Sequence, residues 1–293
     1  MNGLAHALYT ALLRRTRAAD PDVHTVAARA VRGGLRRAVP LLQRGHGIRF
    51  PRRATGGWRW TWQFRFEVLM RWHEHGSVLW VRRLVRPGMA ALDLGANLGY
   101  YSRLLGDLVG PTGTVYAFEP DPENLEVLRH NLRGARYAHV RVAPYAATDR
   151  AGTAILHISP GHSAHSLFAG FTETHGTVEV RTIGLDSFLA EQGVEHLDFV
   201  KMDVEGSEPQ ALDGLRETIA RSPDLVLLGE CNPTALACAG TTVRAYLDTL
   251  AQLGFEARAI LDDGRLDAVP DAAEMRPSVN LLCWRGGREP GRR

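Results

Sequence analysis

The run Ala91-Leu-Asp-Leu-Gly-Ala-Asn-Leu-Gly-Tyr-Tyr-Ser102 leaves this chain few folds to choose from. An apolar strand, Met89 to Leu94, delivers a carboxylate and two glycines to a tight turn, and a helix starts near Tyr100. Gly95 and Gly99 lack a Cβ, so the backbone can bend sharply and a ligand can lie directly against it. The helix start presents N–H groups above the strand. The next strand, Thr114 to Glu119, ends in an acid 26 residues beyond Asp93. At that point of a doubly wound sheet a carboxylate grips ribose hydroxyls. Strand, glycine turn, helix, strand and acid make a nucleoside-binding half of such a sheet.

The turn reads Asp93-x-Gly95-x-Asn97-x-Gly99, not the G-x-G-x-x-G that cradles a pyrophosphate. An acid inside the turn repels phosphates but suits an ammonium such as that of an amino acid. A dinucleotide-dependent dehydrogenase is therefore disfavoured. The expected ligand joins adenosine to an amino acid.

A second segment, Leu197-Asp-Phe-Val-Lys-Met-Asp-Val-Glu-Gly-Ser-Glu208, carries chemistry of its own. An apolar strand holds Lys201 in its middle and releases Asp203 and Glu205 at its C-terminal edge, where open α/β sheets bind ligands. Strand alternation puts Lys201, Asp203 and Glu205 on one side. A buried lysine is costly unless paired, so a Lys201–carboxylate contact is expected.

Between these segments helices and strands alternate. Ser77–Val85, Pro122–Leu132, Leu185–Gln192, Glu208–Arg221 and Thr242–Leu253 read as helices. Ala138–Val142, Ala154–Ile158, Val178–Thr182, Phe199–Val204, Leu225–Glu230, Phe255–Ile260 and Ser278–Trp284 read as strands. Such alternation predicts a mostly parallel, seven-stranded, doubly wound sheet between helix layers. Residues 77–285 form the expected catalytic domain and 286–293 a fraying tail. Residues 1–76 form an appendage: amphipathic helices to about residue 45, then an aromatic strand, Trp58-x-Trp60-x-Trp62-x-Phe64-x-Phe66, serving as a lid or dimer surface.

Residues 1–90 hold 17 arginines against Asp20, Asp22, Glu67 and Glu74, a local +13 within a chain of net +3. A polyanion-binding arm is one reading. The other is genomic, because Lys201 is the only lysine and arginine serves wherever a basic residue is needed. Nucleic acid is accordingly not the expected partner. Cys231, Cys238 and Cys283 form no C-x-x-C pair, which points to a reducing compartment rather than a disulfide framework or a zinc site. With no apolar stretch of membrane-spanning length and no signal-peptide pattern at the start, a cytoplasmic location is expected.

Together these segments resemble the FkbM branch of the class I methyltransferases that use S-adenosylmethionine (SAM). The likeness runs from about Glu74 to Trp284. It rests on Pro87-Gly88, the DLGANLGYYS turn, Phe118-Glu119-Pro120, Ala146-Ala147-Thr148-Asp149, Ser163 to Leu167, Leu185-Asp186 and above all Val200-Lys-Met-Asp-Val-Glu-Gly-Ser-Glu208. Residues 1–70 fall outside it.

The resemblance implies that Asp93 and the backbone of Gly95, Asn97 and Gly99 hold the methionine part of SAM. It implies further that Glu119 takes the ribose, Asp149 borders the adenine and Asp203 lies beneath the methyl group. It also implies a hydroxylated small-molecule acceptor of polyketide, sugar or other secondary-metabolite type. An alcohol acceptor needs a positioned base. The candidates are Asp203, Glu205, Glu230 and the histidines of residues 157–175, with Glu205 and His165 preferred. His157, His162 and His165 with Asp149 lack helical i, i+4 support as metal ligands, so no metal is expected. Two alternatives stay open: an RNA methyltransferase that uses the arginine-rich start, and a non-catalytic SAM-binding partner protein.

Overall fold

The structure is a computed structural model that describes residues 73–159, 164–275, 278–287 and 289–290. The expected appendage to residue 72, the base and metal candidate His162, Ser163 and the last residues of the tail lie outside the described residues. From helix α1 (His75–Leu84) the chain enters strand β1 (Ala90–Leu94), helix α2 (Tyr100–Val109), β2 (Thr114–Phe118), α3 (Pro122–Asn131) and β3 (Val140–Ala143). Then come β4 (Ala146–Thr148), β5 (Gly152–Ile158), β6 (Gly176–Gly184), α4 (Leu185–Glu191), β7 (Phe199–Met202), α5 (Glu208–Gly214) and α6 (Arg216–Arg221). The chain closes with β8 (Val226–Cys231), α7 (Pro233–Cys238), α8 (Val243–Gln252), β9 (Glu256–Ile260), β10 (Leu266–Asp267) and β11 (Val279–Trp284).

The main sheet runs β10-β9-β11-β8-β7-β1-β2-β3. Strands β3, β2, β1, β7 and β8 are mutually parallel, and β11 inserts antiparallel between β8 and β9. Seven strands of four to six residues make the expected sheet, and the two-residue β10 adds a short eighth at one edge. The order reverses at β1, so the clefts above β1, β2 and β7 lie at the topological switch where α/β folds bind ligands.

Alternation along the central strands feeds two cores. Leu92, Leu94, Tyr116, Phe118, Val200 and Met202 face one layer with Leu185, Leu212, Ile219 and Leu250 of α4, α5, α6 and α8. Ala91, Val115, Ala117 and Phe199 face the other with Val81, Leu104, Leu105 and Leu128 of α1, α2 and α3. Local chemistry starts two of these helices. The Asp121 side chain accepts the Asn124 N–H (2.9 Å) ahead of Pro122 in α3, and Thr242 accepts the Ala245 N–H (3.1 Å) at α8.

Three elements differ from the sequence expectation. The single helix expected over 208–221 breaks into α5 and α6. A Cβ on Gly214 would lie 2.1 Å from the Thr148 carbonyl, so the chain uses that glycine to pass tightly under β4. Asn232-Pro233 opens the unforeseen α7, with Asn232 Oδ1 accepting the Thr234 and Ala235 N–H groups. Strands β5 and β6 leave the main sheet and pair antiparallel, with β4 on the far side of β6, in a separate three-stranded sheet.

Gly95 is the tightest junction at the centre. Its φ is +81°, and a Cβ there would sit 1.9 Å from the Asp203 carbonyl oxygen. Gly95→Ala is expected to destabilise the protein by about 2 kcal/mol or more in urea unfolding. Gly152→Ala, at 3.4 Å from the nearest atom, should stay within about 0.5 kcal/mol of the native protein.

Candidate active site

The site is built from the C-terminal ends of β1, β2, β7 and β8. Asp93 on β1 and Lys201 on β7 are register partners, so their side chains share a face. Both are about 1% exposed. Ser102, one turn into α2, donates its hydroxyl to Asp93 Oδ2 at 2.5 Å. Burial pushes the Asp93 carboxyl up to about 6, against the pull of the Ser102 bond and the Lys201 charge.

The turn after Asp93 is tied to β2 rather than left open. Gly95 and Ala96 donate their N–H groups to the Phe118 carbonyl (3.1 and 2.8 Å), and Asn97, at φ +49°, donates its N–H to Glu119 Oε2 at 2.7 Å. The sequence suggested free N–H donors here. These three are satisfied within the protein, and the space a Gly95 side chain would take is filled by the Asp203 carbonyl. Glu119 also accepts the Asp121 N–H through Oε1 at 2.9 Å. It is buried beside Asp121 and within the field of Asp93, and burial pushes its carboxyl up to about 8. The two carboxylates predicted from the sequence therefore share one end of the sheet, linked by the turn at 95–97.

On the other side of β1, Lys201 donates to Asp203 Oδ2 at 3.2 Å, the predicted contact, and its ammonium lies 5.1 Å from the centre of the Tyr101 ring. Burial alone would lower the lysine. The carboxylates of Asp203, Glu74 and Glu230 outweigh it and raise the lysine above its ordinary value, so it stays charged. Glu74 is itself reached by the Tyr101 hydroxyl at 2.7 Å. Asp203, Glu205 and Glu230 present carboxylate oxygens within 4.8 Å of one another. Glu205 and Glu230 are both raised well above the usual carboxylate range, by burial first and then by the neighbouring negative charges. Ser278 donates to Glu230 Oε1 at 2.6 Å.

The turn that carries Glu205 is clamped from three sides. Glu205 has a φ of +49°, uncommon for a residue with a Cβ. Glu208 accepts the Val204 and Gly206 N–H groups (3.1 and 2.9 Å), and the Ser166 hydroxyl donates to the Glu205 carbonyl at 2.7 Å. Glu208 escaped the sequence reading as a functional residue. Its spacing from Glu205 and Gly206 was the available signal, because a carboxylate just past a turn can cap that turn's N–H groups. Asp121 was missed in the same way.

The segment 164–168 adds along β5 by a bridge between His157 and Ser166 and brings Phe168 against Gly206. His165 is buried in it. Its Nδ1 accepts the Ser159 N–H at 3.0 Å and its Nε2 lies 3.6 Å from Asp121 Oδ2. Asp149 follows β4, about one third exposed, with Arg150 at 3.5 Å. Among the described residues, then, Asp93, Gly95, Asn97 and Glu119 form one group. Asp203, Glu205 and Glu230 form a second, His165 sits beside Asp121, and Asp149 belongs to the smaller sheet. No helix among the described residues is long and apolar enough to cross a membrane.

A parallel sheet reversing at β1, a lone antiparallel strand inserted between β8 and β9, and acids closing the first two strands define the class I SAM-dependent methyltransferase fold. The Methyltransferase FkbM domain model matches residues 93–257, more than half of the sequence, and the chain belongs to that family. Over 157 residues it is 28% identical to the 2-O-methyltransferase NoeI of Sinorhizobium fredii, covering 48% of this chain and 63% of that protein. Over 162 residues it is 29% identical to the 31-O-demethyl-FK506 methyltransferase FkbM of Streptomyces tacrolimicus, covering 45% and 62%. A 56-residue stretch is 45% identical to the protein-L-isoaspartate O-methyltransferase of Methanothrix thermoacetophila, covering 19% and 27%. The chain thus spans less than two thirds of the length of each of these relatives.

SAM is the family's cofactor, and the donor set fits it. A buried carboxylate at 93 suits the ammonium of the methionine part, and Glu119 has lone pairs for ribose hydroxyls.

Two outcomes follow. A ribose held at Glu119, the role proposed below, donates more strongly to the ionised carboxylate than to the neutral acid, so S-adenosylhomocysteine (SAH) is expected to bind with release of a proton. Its affinity, by calorimetry, is expected to rise with pH between 6 and 8, by at most about tenfold per unit, and to level off above 8. The groups facing Glu119 are Asp93, Asp121 and the N–H donors of Asn97 and Asp121. Glu119→Gln should abolish the rise over that interval. Lys201→Met should cost about 3 kcal/mol in urea unfolding at pH 7, because it leaves the carboxylates facing it without their ammonium.

Proposed function

We propose that the chain transfers a methyl group from SAM to a hydroxyl of a small metabolite, a polyketide-, sugar- or other secondary-metabolite-like acceptor. The observation that carries the reading is the adjacency of two carboxylate groups across β1. One pair, Asp93 and Glu119, has the chemistry for an amino acid and a ribose; the other, Asp203, Glu205 and Glu230, has the chemistry for removing a proton. All three relatives described above carry an O-methyl in their names, which supports an oxygen as the acceptor atom.

When bound, SAM supplies a methyl group on a sulfonium whose leaving group is a neutral thioether, so this chain's residues need mainly to align the acceptor and take its proton. In this reading Asp93, Gly95 and Asn97 position the amino-acid end, Glu119 the ribose and Asp149 the adenine edge. Asp203, steadied by Lys201, favours the cationic centre and orients the acceptor. Glu205 takes the acceptor proton, with Glu230 holding the far wall of the same pocket. His165 holds the segment 164–168 against Asp121 and leaves Ser166 and Phe168 to line the acceptor side. Three free cysteines, Cys231, Cys238 and Cys283, fit the cytoplasmic location proposed for it.

The test is transfer of a labelled methyl group from SAM across a panel of hydroxylated metabolites, with SAH formed in equal amount. Glu205→Gln is expected to lower kcat by about 10²–10⁴ while SAH affinity changes less than about threefold. Equal turnover in that variant would remove Glu205 from the role. Failure of every hydroxylated acceptor, with SAH still bound, would overturn the choice of a hydroxyl.

A further inference from the structure

Three carboxylates converge where β7 and β8 end, and among the described residues one ammonium faces them. Asp203 has Lys201 at 3.2 Å. Glu230 has one oxygen on the Ser278 hydroxyl. The second oxygen, Oε2, of both Glu205 and Glu230 is buried and has no hydrogen-bond partner among the described residues. Among the described residues three acids face one ammonium in a partly buried site, which leaves two negative charges to be compensated. Carboxylates in that state are strongly unfavourable unless a proton or a cation joins them.

We infer that Asp203, Glu205 and Glu230 bind one divalent metal ion of the hard, oxygen-seeking kind, Mg²⁺ or Mn²⁺, at the acceptor end of the cleft. Each acid offers one oxygen and the three oxygens lie within 4.8 Å of one another, near the widest separation of two ligands on one ion, about 4.2 Å for Mg²⁺ and about 4.8 Å for Ca²⁺. A charge of +2 matches the local deficit. An all-oxygen donor set selects Mg²⁺, Mn²⁺ or Ca²⁺ over zinc or copper, and three protein ligands leave room for water or an acceptor oxygen. The sequence reading expected no metal because it weighed histidines on one loop. These ligands instead come from two adjacent strand ends and the turn after one of them.

The backbone is arranged to hold this geometry. Asp203 donates its N–H to the Leu94 carbonyl at 3.0 Å, and the strained Glu205 turn is clamped by Glu208 and Ser166. The use of the ion rests on the hydroxyl reading above, although the site itself does not. An acceptor hydroxyl on the ion would be more acidic. As its oxygen forms a bond to the methyl carbon, the carbon–sulfur bond of SAM breaks, SAH leaves as the neutral thioether, and the hydroxyl proton passes to the uncoordinated oxygen of Glu205.

The test is calorimetric titration of the full chain, stripped with EDTA and saturated with SAH, with MnCl₂. One Mn²⁺ per chain, displaced by Mg²⁺ and weakened about tenfold or more in Glu205→Gln and in Glu230→Gln, is the expected result. Failure to bind Mn²⁺ at millimolar concentration while SAH still binds would overturn the inference and leave the methyltransferase reading standing. Undiminished binding in both variants would place the ion elsewhere and also overturn it. Should a variant fail to fold, anomalous diffraction from Mn²⁺-soaked crystals of the native protein decides. A peak between the three carboxylates supports the site, and its absence there refutes it.

Discussion

The contact between Gly95 and the end of β7 holds the two chemical halves of this protein together. The glycine presses against the Asp203 carbonyl with no room for a single extra carbon, while the Asp203 N–H bonds the Leu94 carbonyl. On the opposite side Gly95 and Ala96 bond the Phe118 carbonyl and Asn97 bonds Glu119. The tip of β1 is thus wedged between β2 and β7. That wedge places Asp93, Glu119, Lys201 and Asp203 around one turn, and each later feature of the site depends on it.

The site gathers more acid than base in a poorly solvated place. Asp93, Glu119, Glu205, Glu208 and Glu230 are all pushed upward by burial, with Lys201 as the single lysine among them. Such an arrangement opposes folding unless backbone N–H groups, hydroxyls or a ligand compensate it. Glu119 and Glu208 are compensated by backbone donors and Asp93 by Ser102. Glu205 and Glu230 are compensated least, because each keeps a buried oxygen without a partner.

Much of this was legible from residue order. The strand–glycine–helix–strand–acid run needs only neighbours in sequence, so β1, α2, β2 and the placing of Asp93 and Glu119 at one end of the sheet could be read directly. The Lys201–Asp203 contact followed from strand alternation and the cost of a buried ammonium. Long-range crowding was less visible. Nothing local to 208–221 announces that Gly214 must pass under the Thr148 carbonyl, so the break between α5 and α6 was missed. The departure of β5 and β6 from the main sheet depends on which strand edges are free, and a strand's own pattern does not encode that. Asp121 drew no reading from the sequence, yet folding sets it beside His165 from a segment more than forty residues away.

The chain's order of apolar runs, glycines and acids by itself determined a doubly wound sheet and the bend at 93–99 that ties β1 to β2. These follow from short-range sterics and from charges a few residues apart. Only the tertiary structure decided that Glu205 and Glu230, on different segments, come within reach of Asp203, and that His165 turns toward Asp121. Those encounters arise where parallel strands end side by side, and hydrogen bonding across a sheet joins residues whose separation along the chain carries no record of the meeting.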